Sequence, residues 1–265
     1  MAERVRLRRS QGVAYVELNR PEKCNALDYD MFLAIDRVQK SLRRESGLRA
    51  VVLSGAGSDF SSGIDIHALL GNRGAALKLI WKWWPWRANL AQRVAVGWQH
   101  LAVPVIACLE GRCWGGGLQI ALGADFRVAS PDASLSIMEG KWGLIPDMGG
   151  TLALRDLIPR DQALKMAMTA EIVSAPTALA LGLLTAIDED PSQYIDALLA
   201  ELLERSPDAL ASVKQLYRRS WGREGRILAE ETWHQLRIFA GVNRRIAVAR
   251  AQGRDQPYRP KYSRR

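Results

Sequence analysis

Cysteine and histidine are scarce, with three of each in 265 residues. Cys24, Cys108 and Cys113 form no CxxC pair, and an odd, sparse set makes no disulfide framework. His67, His100 and His234 are scattered without ligand spacing, so surface or core histidines fit better than a metal site. Such cysteine usage points to a reducing, cytoplasmic setting. Long apolar runs are missing too. None approaches the ~20 residues needed to span a bilayer, and the longest, Val103 to Leu109, has the length of a buried strand. The opening Met1 to Gln11 carries arginines but no apolar stretch, so it is not expected to be a secretory signal. Repeats and low-complexity segments are absent as well.

What is present is ordinary for a globular chain: 48% hydrophobic and 25% charged residues. The length supports one well-buried core, or one domain with a smaller appendage. The formal net charge of +9 favours polyanionic partners (nucleic acid, acidic membranes, phosphorylated ligands) without choosing among them. Arg4, Arg6, Arg8, Arg9, Arg259, Arg264 and Arg265 sit at the ends, where a solvated basic tail accounts for them.

Alternating patterns predict strands around Val5–Leu7 and over Val13–Leu18. Asp28 is placed to cap a helix running to about Arg44, with Met31, Leu33, Ile35, Val38 and Leu42 on its apolar face. The fully apolar runs Ala50–Leu53 and Val105–Leu109 read as strands of a buried parallel sheet. A helix is expected from Leu118 to Leu122, with further strands near Asp125–Ala129 and Ser134–Ile137. The order strand–helix–strand suggests right-handed crossovers. From about Thr151 the composition turns to Leu, Ala, Arg and Glu. Five helical stretches are expected there, broken near Pro159, Pro176, Pro191, Pro207 and Gly241, and the C-terminal third reads as all-helical.

Two glycine-bearing junctions stand out. Asp59 to Ile66 reads DFSSGIDI, and Glu110 to Ile120 reads EGRCWGGGLQI. Backbone N–H groups at such a helix start have no intrahelical acceptor. Two of them aimed at one point make an oxyanion hole, and the same geometry binds phosphate. The plainer reading is that the glycines only permit tight turns. The triplet Gly115-Gly116-Gly117 is no GxGxxG, and no Lys-Ser/Thr follows it, so a nucleotide fingerprint is absent. Two carboxylates lie nearby in sequence. Glu139, flanked by Ile137, Met138, Trp142 and Leu144, is expected in an apolar setting that would raise its pKa toward proton transfer near neutrality. A solvated loop carboxylate is the plain alternative. Asp147, before Met148-Gly149-Gly150-Thr151, is expected to open a helix, with simple capping as its plain role.

These segments resemble the enoyl-CoA hydratase/isomerase (crotonase) family. FSSGIDI is similar to its FxAGxDI segment. CWGGGLQIALGADFRVAS is similar to GxxxGGGxxLxxxxDxxxA, GLIPDMGGT to GxxPxxGGT, and the early LNRPEKCNAL to LNRPxxxNAL. A weaker match is the helical stretch ending Gly253-Arg254. The resemblance implies an α/β fold: a crotonase-like ββα spiral over residues 1–190 and a helical C-terminal region over 191–265 that builds trimers or dimers of trimers. It implies an acyl-CoA thioester as substrate, with coenzyme A as part of it and no separate cofactor or metal. The N–H groups of Ile64 and Gly116 would hold the thioester oxygen as it becomes an enolate. Lys23, Cys24, Ala26 and Ser62 would lie along the CoA path, with the Asp65–Ile66 backbone near the adenine. Arg20 and Lys23 are candidates for the CoA phosphates. Neither nucleic acid nor stable membrane insertion is expected.

The chain departs from the family's hydratases at one place. They resemble one another in carrying two glutamates; one corresponds to Glu139, and where the other would stand this sequence has Gln119. A neutral amide exchanges no proton near neutrality, although it can position water. A 1,3-proton shift needs only one base, as in family members similar to enoyl-CoA isomerases, so isomerisation is favoured slightly over hydration. Asp147 matches an acid of the dienoyl-CoA isomerases, which also carry an Asp where Gln119 stands. Hydration by Glu139 with Asp147 is the alternative. The dehalogenase branch resembles this chain in an Asp where Asp147 stands, but it has no Glu where Glu139 stands, and with no supporting Trp-His pair before Pro104 it ranks low. A CoA-ester hydrolase, a carbon–carbon lyase, and an RNA- or partner-binding protein on the same scaffold also fit parts of the pattern. Finally, Trp81, Trp83, Trp84 and Trp86 crowd six residues. Subunit contact and an acyl pocket walled by Trp83, Trp84 and Trp142 are favoured about equally over an interfacial membrane contact.

Overall fold

The computed structural model describes residues 3–260 apart from 72, 85, 220–234, 236, 238, 239 and 252. Its larger sheet holds six strands. β1 (Val5–Ser10) and β2 (Val13–Leu18) form an antiparallel hairpin; β3 (Ala50–Gly55), β4 (Val105–Leu109), β6 (Phe126–Ala129) and β9 (Ala186–Ile187) then add in parallel. The smaller sheet orders β5 (Arg112–Trp114), β7 (Ser134–Ser136) and β8 (Ile172–Ser174). Single bridges Ser61–Cys113 and Leu27–Ile64 extend its edge. β4 runs on to β5, and β6 to β7, so each pass of the chain lays one strand in each sheet before a helix. That repeat is a ββα spiral, and the fold class is the crotonase-like α/β one.

The middle of the larger sheet is buried on both faces, which is why β3 and β4 read as continuous apolar runs while the edge strand β1 alternates. Ala14, Val16, Val51, Leu53, Ala107 and Leu109 join the main core. Their alternates Val13, Ala50, Val52, Ile106 and Cys108 face the other way, toward Ile195 and Leu199 of α9 (Pro191–Leu203). In the main core α1 (Tyr29–Leu42) supplies Met31, Phe32, Ile35 and Leu42, and α4 (Leu90–Val96) supplies Leu90 and Val94. Asp28 caps α1 by accepting from the Met31 N–H at 2.8 Å.

Between them run α2 (Ile66–Leu70) and α3 (Arg73–Ile80), and α5 covers Gly116–Ala121. The rest comprises α6 (Gly150–Leu157), α7 (Arg160–Thr169), α8 (Ala175–Leu181), α10 (Pro207–Arg219) and α11 (Val242–Ala251). A half-buried ion pair pins α10 to the sheet: Lys214 Nζ lies 2.6 Å from Asp125 Oδ2 and also donates to the Trp98 and Val103 carbonyls. No helix among the described residues is long and apolar enough to cross a membrane.

Two expectations need correction. The C-terminal third is not all-helical, because β8 and β9 interrupt it. Three and two residues are too few to show a period of two, and each strand forms only by pairing with β7 or β6, distant in sequence. α5 begins at Gly116, not Leu118, since glycines can open a helix where tertiary packing favours it.

Candidate active site

The early LNRPEKCNAL segment lies alongside the Ser62–Asp65 loop. Ser62 N donates to the Cys24 carbonyl at 2.9 Å, Leu27 N to Gly63 O at 2.8 Å, and Asp65 N to Leu27 O at 3.0 Å. The last two bonds form the parallel bridge at Ile64, which turns the Ile64 N–H toward the opposite side. Asn25, fully buried, holds the loops in place: its amide donates to the Ala56 and Asp59 carbonyls and accepts from the Arg20 N–H.

On that opposite side α5 begins. Gly115 precedes it with φ +50°, a conformation that favours glycine. Gly116, the first helical residue, has an N–H with no intrahelical acceptor. The backbones approach closely: a methyl group on Gly63 would lie 3.5 Å from the Gly116 nitrogen, and one on Gly116 would lie 3.1 Å from Ile64 Cγ1 and 3.0 Å from Met148 Sδ. The two N–H groups thus belong to neighbouring turns of the spiral.

Glu139 sits on a short 3-10 helix, Met138–Trp142, that follows β7. It is buried, not a solvated loop carboxylate. A methyl on Gly115 would lie 3.6 Å from Glu139 Oε1, so the carboxyl stands at the mouth of α5. Oε1 accepts from the Gln119 amide at 2.5 Å, while Oε2 is buried without a hydrogen-bond partner. Burial pushes the carboxyl above its ordinary value. Its own N–H and the Gln119 amide oppose that rise, and the charge of Asp147 adds to it.

Gln119 is oriented from behind. Its carbonyl oxygen accepts from Met148 N at 3.0 Å and Gly150 N at 3.1 Å, which leaves the NH₂ end for Glu139. Sequence reasoning missed this clamp, although GLIPDMGGT contains both donors. Asp147 lies at the exposed rim, and partial desolvation raises its carboxyl. It caps nothing: α6 starts at Gly150 behind Gly149, whose φ of +90° takes the cap position.

The structure brings Lys23, Cys24, Ala26, Ser62, Asp65 and Ile66 onto one strip. Lys23 is exposed and the others are half-buried. Cys24 Sγ accepts from Arg112, whose guanidinium also bridges Asp59 at 2.7 Å. Burial alone would raise Asp65, but the Ala68 N–H, Arg20 and Lys23 outweigh it and hold the carboxyl low. Arg20 pairs with Asp65 at 2.8 Å and with Asp28, and donates to the Ala26 carbonyl. Trp83, Trp84 and Trp142 stand on the surface, 85%, 63% and 55% exposed.

An unpartnered buried carboxylate oxygen beside two backbone N–H donors is suited to moving a proton next to a carbonyl whose oxygen the donors hold. Known proteins similar to this chain give its family. The family model for enoyl-CoA hydratase/isomerase matches residues 8–236. A carnitinyl-CoA dehydratase of Salmonella enteritidis is 31% identical over 225 residues, covering 82% of this chain and 81% of its own. Enoyl-CoA hydratase from Mycobacterium tuberculosis H37Rv superposes with a TM-score of 0.84 at 26% identity, covering 97% of this chain and 99% of that one. A Thermobifida fusca YX protein solved in complex with acetoacetyl-CoA gives 0.77 at 26%, over 88% and 94%. With two interlocked sheets, the paired glycine loops and a match along most of its length, the chain belongs to the enoyl-CoA hydratase/isomerase family of enzymes.

Proposed function

We propose that the enzyme moves protons at the α-carbon of an acyl-CoA thioester, with Glu139 as acid/base and double-bond isomerisation favoured over addition of water. The observation that carries this reading is the asymmetry of Glu139: one oxygen occupied by Gln119, the other free and desolvated. In a 3-enoyl thioester, Oε2 takes the proton from C2. The C2–H electrons move into the thioester, giving a dienolate whose oxygen the Ile64 and Gly116 N–H groups hold. Glu139 then returns the proton to C4, the carbonyl re-forms, and the double bond lies between C2 and C3. The CoA portion runs along Lys23, Cys24, Ala26, Ser62, Asp65 and Ile66.

Water addition is the second reading. It is favoured by the relative described as a dehydratase and by Asp147, a second acid at the rim whose carboxyl is also raised. A panel of acyl-CoAs separates the two. Ultraviolet absorption follows conjugation of the thioester, and mass spectrometry follows gain or loss of water. Isomerisation of 3-enoyl-CoA without water addition to 2-enoyl-CoA supports the first reading. Efficient hydration supports the second. Unchanged deuterium exchange at C2 in Glu139→Ala refutes both.

A further inference from the structure

The proposed chemistry leaves the most unusual stretch of the chain unused. Leu77, Ile80, Trp81, Trp83, Trp84 and Trp86 are all exposed, Trp83 at 85% and Trp86 at 91%. They fall within ten residues, from the second half of α3 into the connection leading to α4. α3 buries Ala75 and Leu79, whereas Leu77, Lys78 and Ile80 of the same helix are exposed. Trp81 and Trp83 meet edge to face, with centroids 6.1 Å apart, and brace each other on the outside. A contiguous exposed patch of this kind marks an interaction surface.

Charge indicates what the patch meets. From Ile66 to Leu109 the sequence contains no Asp or Glu, yet it carries Arg73, Lys78, Lys82, Arg87 and Arg93. Lys78 and Arg87 are exposed and Lys82 is half-buried. Tryptophan settles at the boundary between lipid headgroups and acyl chains, and lysine and arginine pair with anionic headgroups. A second copy docking through a two-fold axis would set this patch against itself, cation facing cation.

We propose that residues 77–87 dock the enzyme on an anionic lipid surface, as a peripheral contact with no spanning segment. This reverses the order in which the sequence alone ranked the three readings of the tryptophans. It does not depend on which reaction the site performs.

Vesicle flotation of the full chain tests it. Phosphatidylcholine vesicles containing phosphatidylserine are compared with phosphatidylcholine alone, at low and high salt. The protein is expected to float with the anionic vesicles only and to release as salt rises. Brominated lipid should quench its tryptophan emission. Trp83→Ser/Trp86→Ser should keep the parent circular dichroism and melting temperature while losing about tenfold or more in partitioning. Each cation contributes about a factor of five at such a surface, so Lys82→Glu/Arg87→Glu should lose about 25-fold or more. Equal flotation with both vesicle types, no flotation at low salt, or a tryptophan variant that floats like the parent overturns the proposal. So does a parent that never floats while the tryptophan variant changes oligomeric state, or while RNA is retained through the same residues.

Discussion

Replacing Gln119 by glutamate probes the contact on which the site depends. The Gln119 amide lies 2.5 Å from Glu139 Oε1 in a buried setting. Two full negative charges at that separation repel by about 7 kcal/mol at an effective dielectric constant of about 20. The Met148 and Gly150 N–H groups already donate to the Gln119 carbonyl and would then donate to a charged oxygen. Each gains about 1 kcal/mol from that change, which offsets about 2 kcal/mol and leaves about 5 kcal/mol against double ionisation. The folded variant avoids that cost by keeping one proton, and a protonated new carboxyl has the donor and acceptor pattern of the amide it replaces. The new carboxyl's folded pKa is therefore raised above its unfolded value. Its stability is fully present below the ordinary glutamate range and is lost as pH rises through the folded value. Urea unfolding of Gln119→Glu and the parent should agree near pH 4 and diverge by about 5 kcal/mol near pH 9, with the variant weaker. A difference that does not vary with pH, or a variant stronger at alkaline pH, refutes the contact. In the same protein, water addition to crotonyl-CoA should rise, because the pair then offers one acid and one base; no rise counts against Gln119 as the group that limits hydration.

Other substitutions reach other parts of the argument. Glu139→Gln should slow α-proton exchange about a hundred- to ten-thousandfold, measured by deuterium uptake at C2. Because burial raises Glu139, the parent should lose stability relative to this variant as pH rises through the folded pKa of Glu139, and parallel unfolding curves across that range would contradict its burial. Gly116→Ala places a methyl 3.0 Å from Leu27 Cδ1 and Met148 Sδ; about 1–3 kcal/mol of stability and most of the exchange activity should go, read by melting and by turnover. Lys214→Ala leaves the half-buried Asp125 without its cation and should cost about 1.5–3 kcal/mol in denaturant unfolding, with little change in the pH dependence of any activity that survives.

Local signals in the sequence were legible where the physics is local. β2 and β4 begin and end where their patterns predict, since the alternation in β2 and the apolar run of β4 each reflect which faces are buried. Asp28 caps α1 because a carboxylate three residues before a free N–H can reach it alone. The glycine loops and Glu139 were visible as motifs. The short strands β8 and β9 were not, because their stability lies in partners 36 to 58 residues away.

By itself, then, the sequence determined the family, the mixed α/β class and the places of β2, β4 and the α1 cap. Those properties are carried by residue type and spacing. Only the tertiary structure decided their states. It paired Arg20 with Asp65 and Asp28. It left Asp147 at the rim with no helix to cap, and it turned the Gln119 amide toward Glu139 by bringing the Met148 and Gly150 N–H groups up behind it. A hydrogen bond's direction and a carboxyl's desolvation depend on atoms that meet only when distant segments pack, and no local pattern encodes them.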